Sequence, residues 1–438
     1  MFRCATVLLA SVVLSTLARA QSTDPARPNF LVIVWDDVGH EDLVHVPTRT
    51  LDLFGPLARR YERFYATPTC SPSRFLLQAG RYPHHDFVGG AMEPLATFEG
   101  GLRPNRIALA EVLHSNGYRT AYFGKWHVNG SKFMDVRESA RLAGYSTWRA
   151  GILGNVVADG VDHYDWVRYD DGKRSNETTY TTRAITDAVT NFLSADLVGG
   201  EPFYAQVSYA APHEPFDAPP ASMLPPGYLV LPGNRGGFEA SLVALDTALG
   251  ELVGLLGPLM ANTYVVLMSD NGTPHNAPLQ GGAYKGYKLT QYEGGIRVPM
   301  LVWGVGTQPG VDVELISAVD WPATVLELAN VHASHGFEDS ISFAPTLAGG
   351  SSPREYVWSH RFTPNNGVQP VLSLHRWAVV RDDGMKLWFQ DGVEQLFDLS
   401  VDPFETTNLG VTNPAYFADV LDLEAFKDSV LTPTTWPY

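Results

Sequence analysis

The chain has 438 residues, 45% of them hydrophobic and 18% charged, enough apolar material for one large core with a smaller domain beside it. Its formal net charge of −16 argues against generic binding to nucleic acid or an anionic membrane, although an acidic protein can still hold a basic pocket. Two cysteines make no disulfide framework.

Residues 1 to 20 read as a secretory signal peptide, with Arg3 in a short basic region, an apolar run from Ala5 to Leu17, and Ala18-Arg19-Ala20 as a small-residue cleavage site. That run is too short to span a bilayer comfortably, and no later stretch is expected to approach a transmembrane length. The mature protein is therefore expected to be soluble and exported, to the periplasm or the extracellular space. Cys4 lies inside the signal, so cleavage leaves Cys70 alone. A lone cysteine in an exported chain is an intermolecular partner, an inert thiol or a chemical group, and the last reading is preferred.

Asn29 to Trp35 is a continuous apolar run rich in branched residues, as in a parallel strand buried on both faces. Asp36 and Asp37 end it. Ligands gather beyond the carboxyl ends of strands in open α/β sheets, so the two acids are either metal ligands or caps of a following helix. In Thr69-Cys70-Ser71-Pro72-Ser73-Arg74, Ser71 is the expected N-cap, Pro72 to Ala79 a short helix and Gly80 its stop. Cys70 then sits just outside a helix N-terminus, where backbone NH groups and the helix dipole favour an anion and Arg74 adds a positive fork.

A helical pattern through Ile107, Leu109, Ala110, Val112 and Leu113 ends at Gly117, and Arg119 to Phe123 reads as a strand leading into Gly124-Lys125-Trp126-His127. If the extended conformation continues, Lys125 and His127 share a face. Residues 130 to 176 read as long loops with no assignable chemistry. A helix from Tyr180 to Ser194 precedes the strand Phe203 to Tyr209, and His213 falls just past that strand's end. Residues 218 to 235 are a Pro- and Gly-rich loop, and Phe238, Leu242, Leu245, Leu249, Leu252 and Leu256 mark an amphipathic helix.

Tyr264 to Met268 is a second buried strand, ending at Ser269-Asp270-Asn271-Gly272. Two such strands can bring Asp36, Asp37, Asp270 and Asn271 to one sheet edge, where hard oxygen ligands suit calcium or magnesium better than zinc. Lys285 and Lys288, in a Gly-rich stretch before the strand Met300 to Trp303, either reach an anion or stay solvated. Asp320 to Leu328 reads as a helix and Ser351 to Glu355 as a crossing between domains. Runs at Trp377–Arg381, Lys386–Phe389 and Gln395–Leu399 predict a small antiparallel sheet. The expected fold is α/β: a large mixed, mostly parallel central sheet sandwiched by helices over 21–350, and a smaller C-terminal domain over 351–438 with an antiparallel sheet and a helix.

Together these segments resemble the formylglycine-dependent sulfatases of the alkaline-phosphatase-like superfamily, from about Asn29 through the C-terminal domain. Cys70-Ser71-Pro72-Ser73-Arg74 matches the family's core Cys-x-Pro-x-Arg. Gly117-Tyr118-Arg119-Thr120, followed by Gly124-Lys125-Trp126-His127, matches its second signature. Gln78 stands where the longer signature is usually apolar, and Phe123 where the second usually has a smaller residue. The further polar residue that some relatives place between the second signature and the histidine loop is not assigned, and the loop from Gly151 to Asp165 carries no role.

The resemblance implies that a formylglycine-generating enzyme oxidises Cys70 to formylglycine (3-oxoalanine). It implies that Asp36, Asp37, Asp270, Asn271 and residue 70 hold a divalent cation, usually Ca2+ with Mg2+ as the alternative, and that Arg74, Lys125, His127, His213 and Lys288 surround the sulfate. One hydroxyl of the hydrated aldehyde would attack sulfur with help from Asp270, the alcohol would leave with a proton from His213 or Lys288, and His127 would assist the expulsion of sulfate. The implied activity is hydrolysis of a sulfate ester, with a sulfated carbohydrate preferred as substrate over small aryl sulfates. A phosphate- or phosphonate-ester hydrolase, and a sulfoglycan-binding protein with unmodified Cys70, are the alternatives.

Overall fold

Seven consecutive buried residues, Asn29–Trp35, form β1, and the fold extends outward from this strand. Phe30, Val32 and Val34 enter one hydrophobic core, while Leu31, Ile33 and Trp35 enter another, following the two-residue period of a strand. A strand apolar on both faces belongs in the middle of a sheet covered on both sides. The structure, a computed structural model, describes residues 27–97, 100–197, 200–363, 365 and 374–431. The signal-peptide reading of residues 1–20, with Cys4, lies outside them.

The strands that follow are β2 (Arg59–Tyr61), β3 (Phe64–Tyr65), β4 (Arg119–Lys125), β5 (Thr147–Ile152), β6 (Trp166–Asp170), β7 (Lys173–Glu177), β8 (Phe203–Ser208), β9 (Thr263–Ser269), β10 (Met300–Trp303), β11 (Gly310–Asp312) and β12 (Ile316–Ser317). Ten strands form one sheet in the order β11-β2-β10-β9-β1-β8-β4-β5-β6-β7, and β3 pairs with β12 separately. The central run β9-β1-β8-β4-β5 is parallel, and antiparallel pairing begins at β10 on one side and β6 on the other.

Helices cover both faces. On one side lie α1 (Cys70–Ala79), α2 (Leu109–Ser115) and α5 (Trp321–Leu328), contributing Phe75, Leu109 and Val325. On the other lie α3 (Thr181–Asn191) and α4 (Asn234–Leu256), contributing Ile185 and Leu245. The segment Asn234–Asn262 does reach the length and apolarity of a membrane span, which the sequence reading did not anticipate. Phe238, Leu242, Leu249 and Leu252 of α4 are buried in the core against the sheet, which accounts for its apolarity.

After the crossing at 351–355 the chain forms a four-stranded antiparallel sheet, β13 (Tyr356–Thr363), β14 (Leu374–Arg381), β15 (Met385–Gln390) and β16 (Val393–Asp398), followed by α6 (Phe417–Leu431). β13 is absent from the sequence reading because His360 and Arg361 interrupt its apolar alternation. A third core joins Val357, Ala378, Val380, Trp388 and Phe397 of this sheet to Tyr65 and Ile296. Lys386 of β15 also crosses that seam, reaching Glu293 at 2.9 Å and Glu405 at 2.8 Å with all three side chains buried. Charges this deep persist only when paired.

Residues 130–176 are more ordered than expected, since they contain β5, β6 and β7. Asp171 and Gly172 both have positive φ, of 47° and 83°, as a two-residue hairpin turn between β6 and β7 requires. β7 is a charged, exposed edge strand, so it carries no hydrophobic period to read.

Candidate active site

β1 and β9 are parallel neighbours, with Trp35 opposite Ser269, so Asp36-Asp37 and Asp270-Asn271 leave the sheet side by side. The Asp37 NH donates to Asp270 Oδ1 at 3.1 Å, and Asn271 Nδ2 donates to Asp37 Oδ1 at 2.7 Å. Asp37 holds a left-handed φ of 73°, a strained conformation of the kind that clusters at functional sites. Gly272 is needed just beyond, because a Cβ there would fall 1.9 Å from the Gly294 carbonyl oxygen.

Cys70 faces these acids from the start of α1, with Sγ 3.5 Å from Asp36 Oδ1 and 3.9 Å from Asp37 Oδ1. The helix starts earlier than expected. Thr69 occupies the N-cap position without a side-chain bond, so Cys70 is the first helical residue. The Ser71 hydroxyl, the expected cap, accepts the Met92 NH at 2.9 Å instead.

Three buried carboxylates meet three cations here. Lys125 Nζ donates to Asp36 Oδ2 and, at 2.8 Å, to Asn155 Oδ1. Lys288 Nζ lies 2.6 Å from Asp37 Oδ1. Arg74 is fully buried, giving Nε to Asp270 Oδ2 at 2.8 Å and Nη1 to the Lys125 carbonyl at 2.8 Å. It stands among the acids as a counter-charge to Asp36 and Asp270. Burial works to raise Asp36, but Lys125 and Arg74 hold its carboxyl well below the usual range. For Asp37, burial outweighs Lys288 and the pKa rises. Burial and then Asp36 push Asp270 up to about 7, and burial likewise pushes the Cys70 thiol up.

The two histidines are fixed by backbone carbonyls. His127 Nε2 donates to Met92 O at 2.8 Å, which leaves Nδ1 as the acceptor, buried and unpartnered among the described residues. Burial, then Lys125 and Arg74, holds its pKa well below the usual histidine value. The strand does not continue to His127 as expected: Gly124 and His127 have φ of 84° and 53°, and a Cβ on Gly124 would meet the Ser208 carbonyl at 2.1 Å. The chain bends, and His127 reaches the site by that bend rather than by strand alternation.

His213 donates Nδ1 to the Glu214 carbonyl at 2.8 Å and turns Nε2 toward Asp37 Oδ2 at 3.8 Å. Its own carbonyl accepts from His163 Nε2 at 3.0 Å. Sequence reading assigned neither His163 nor Asn155. Both lie in the loops left without chemistry, although Asn155 follows the carboxyl end of β5, the position that singled out Asp36 and Asp270.

The residues could hold a metal ion. Asp36, Asp37, Cys70 and His213 each place a ligand atom within 4.8 Å of the others, and His213 joins this group beside the residues the sequence pointed to. The Asp270 oxygens are engaged by the Asp37 NH and Arg74, yet each keeps a second lone pair. Asn271 Oδ1 is buried without a partner among the described residues, as an amide oxygen awaiting a cation would be.

Gln78, the departure in the longer motif, is fully buried and hydrogen-bonded. Its Nε2 donates to Gln206 Oε1 at 2.9 Å, and Tyr145 OH donates to its Oε1 at 2.8 Å.

The α/β sandwich with a C-terminal antiparallel sheet is the alkaline-phosphatase-like sulfatase fold. A family model described as Sulfatase matches residues 28–331, and the chain belongs to the formylglycine-dependent sulfatase family, whose members are sulfuric ester hydrolases. It is 28% identical over 420 residues to the ulvan-active sulfatase of Formosa agariphila, covering 89% of this chain and 78% of that protein. It is also 28% identical over 407 residues to arylsulfatase A of Bos taurus, covering 82% and 76%. The solved structure of Ps i-CgsB in complex with k-i-k-neocarrahexaose shares the fold, with a TM-score of 0.79 at 23% identity over 93% of this chain and 94% of that one.

Proposed function

We propose that this sulfatase removes sulfate from a sulfated carbohydrate, using Cys70 converted to formylglycine together with Ca2+, or Mg2+ in its place. The observation that carries the reading is the position of Cys70, at a helix N-terminus and within 4 Å of two buried aspartates. The carbohydrate preference draws on the named relative active on ulvan and the similar structure that holds a neocarrahexaose. Export with cleavage after residue 20, and maturation by a formylglycine-generating enzyme, belong to the same proposal. So do the assignment of the chemistry to 21–350 and of a C-terminal subdomain to 351–438.

Asp36, Asp37, residue 70, Asp270 and Asn271 would hold the cation, with His213 adjoining. The hydrated aldehyde and the cation together supply an activated hydroxyl and polarise the sulfuryl oxygens. The chain supplies the rest. Asp36, Asp37 and Asp270 are matched in number by Arg74, Lys125 and Lys288, so a divalent cation and a singly charged sulfate ester entering together leave the pocket one positive charge in excess, which favours negative charge building up on the departing group. Lys125, steadied by Asn155, and Lys288 stabilise charge on the departing group. His127 Nδ1 is a lone-pair acceptor fixed by the Met92 carbonyl and is placed to take a proton. Lys288, a cation beside Asp37, is placed to give one to the leaving alcohol, whereas His213, whose Nδ1 proton is held by the Glu214 carbonyl and whose Nε2 is a lone-pair atom, can give one only after taking it up.

The test is release of inorganic sulfate from a panel of sulfated oligosaccharides, aryl sulfates and matched phosphate esters in the presence of calcium. The reading expects turnover concentrated on the saccharides. Preference for aryl sulfates or for phosphate esters would overturn the substrate assignment, and tight binding without turnover would overturn the enzymatic one.

A further inference from the structure

The C-terminal sheet ends in an electrostatic conflict. Arg361 on β13 and Arg376 on β14 are direct cross-strand partners, and like charges in that relation destabilise a sheet. Both guanidinium groups turn to one acceptor, the Leu289 carbonyl, at 3.2 and 3.0 Å. Arg376 is balanced by Asp391, whose two carboxylate oxygens each lie 2.8 Å from its Nη2. Arg361 makes no ion pair among the described residues, Asp391 acting on it only from a longer range than on Arg376: its one hydrogen bond there is to Leu289, and its Nε is buried without a partner. Burial and the neighbouring Arg376 bring its pKa down to about 10, so it remains a cation at neutral pH.

The location gives the conflict meaning. Leu289 follows Lys288, holds a left-handed φ of 78°, and donates its NH to Pro68 at 2.7 Å, two residues before Cys70. On the other side, the Phe362 NH donates to Gly89 O at 2.9 Å, and Asn365 Oδ1 accepts the Gly89 and Gly90 NH groups at 2.9 Å each. That segment runs on to Met92, whose carbonyl fixes His127. The end of β13 is therefore clamped between the loop of Lys288 and the loop that holds His127, the two flanks of the candidate site. A local rule broken without internal compensation at such a rim marks a place where function outweighs stability.

We propose that Arg361, with Arg376 beside it, forms a second oxyanion subsite at the rim, so that the preferred substrate is a saccharide bearing another anionic group besides the sulfate that is removed. A guanidinium offers paired NH donors that match a carboxylate or a second sulfate. The inference rests on the sulfatase reading and narrows its substrate class from sulfated to multiply anionic saccharides.

Three matched substrates test it: a monosulfated neutral saccharide, a disulfated one and a sulfated uronate. Each is assayed with the wild-type protein and with Arg361→Gln, and binding of the same three is measured by calorimetry. The wild type is expected to favour one of the doubly anionic substrates, and the better of the two tells sulfate from carboxylate. In Arg361→Gln that discrimination in kcat/KM should fall roughly ten- to hundred-fold, the worth of a charge-assisted hydrogen bond, while Arg361→Lys restores part of it. An equal loss on all three substrates would reduce Arg361 to a prop for the Lys288 loop, and unchanged discrimination would remove it from recognition; either overturns the subsite. If the wild type releases no sulfate from any ester, the sulfatase reading fails, and calorimetry still decides the subsite by whether Arg361→Gln selectively weakens doubly anionic ligands.

Discussion

Asn271 Nδ2 donates a 2.7 Å hydrogen bond to Asp37 Oδ1 across a sequence separation of 234 residues. The bond exists because β1 and β9 are adjacent parallel strands in register, and it holds the Asp37 carboxylate while leaving Asn271 Oδ1 unpartnered among the described residues. Asn271→Ala removes both an orienting donor and an oxygen ligand. Calcium affinity should fall by at least about 10- to 100-fold, the usual cost of losing an outer partner alone. Calorimetric calcium titration reads this, and unchanged affinity would take Asn271 out of the cation site.

Lys386 is the buried centre of a pair of ion bridges, to Glu293 and Glu405. Lys386→Met should destabilise the protein by about 3–5 kcal/mol, because it leaves buried Glu405 without its counter-charge and Glu293 with Arg297 alone, 3.5 Å away. Glu293→Gln and Glu405→Gln added to it should recover part of the loss. Urea unfolding measures both, and a Lys386→Met variant as stable as wild type would contradict the pairing.

Gln78 and Gln206 should be coupled. Gln206→Leu leaves Gln78 Nε2 buried without its acceptor, at a cost of about 1–3 kcal/mol. The double change Gln78→Leu with Gln206→Leu should cost less than the sum of the single changes. Strict additivity in thermal melts would show that the network is not energetically joined.

His84 and His360 meet at the seam between the two sheets, their rings 5.8 Å apart. Burial and then His85 lower His84 to about 3, and burial followed by His84 and His375 holds His360 well below its ordinary value. Between pH 6.5, the ordinary value in an unfolded chain, and the depressed folded values, the unfolded state binds protons that the folded state refuses. Stability contributed by these groups is therefore lost as pH falls below about 6.5. In His360→Phe, which suits a pocket made by Trp358 and Phe362, the loss on acidification should be smaller by up to roughly 1.4 kcal/mol per pH unit below that point. Parallel unfolding curves at pH 7.5 and 5 check this, and identical pH dependence in both proteins would contradict it.

What was legible in the sequence follows from which signals are physical. β1 and β9 could be read because strands buried on both faces are unbroken apolar runs, and the acids at their ends stand out against them. Placing those runs side by side located Asp36, Asp37, Asp270 and Asn271 together. Asn155 and His163 escaped because they act from loops, where no periodicity constrains a residue's direction. The condition for Lys125 and His127 to share a face, an extended chain through His127, is not met, because backbone bends at Gly124 and His127 are invisible to strand alternation. β7 and β13 were missed for a related reason, since both are edge strands, and the charge on β7 and the His360-Arg361 pair on β13 erase the hydrophobic pattern. The burial of Arg74 depends on two acids and a carbonyl from distant strands, which no local motif encodes.

The chemistry proposed here depends on residue 70, and the mass of the tryptic peptide Phe64–Arg74 from catalytically active protein tests it most directly. The account predicts that this peptide carries formylglycine in place of Cys70, in step with the fraction of molecules able to turn over a sulfate ester. Fully active protein in which that peptide carries only unmodified cysteine would contradict it.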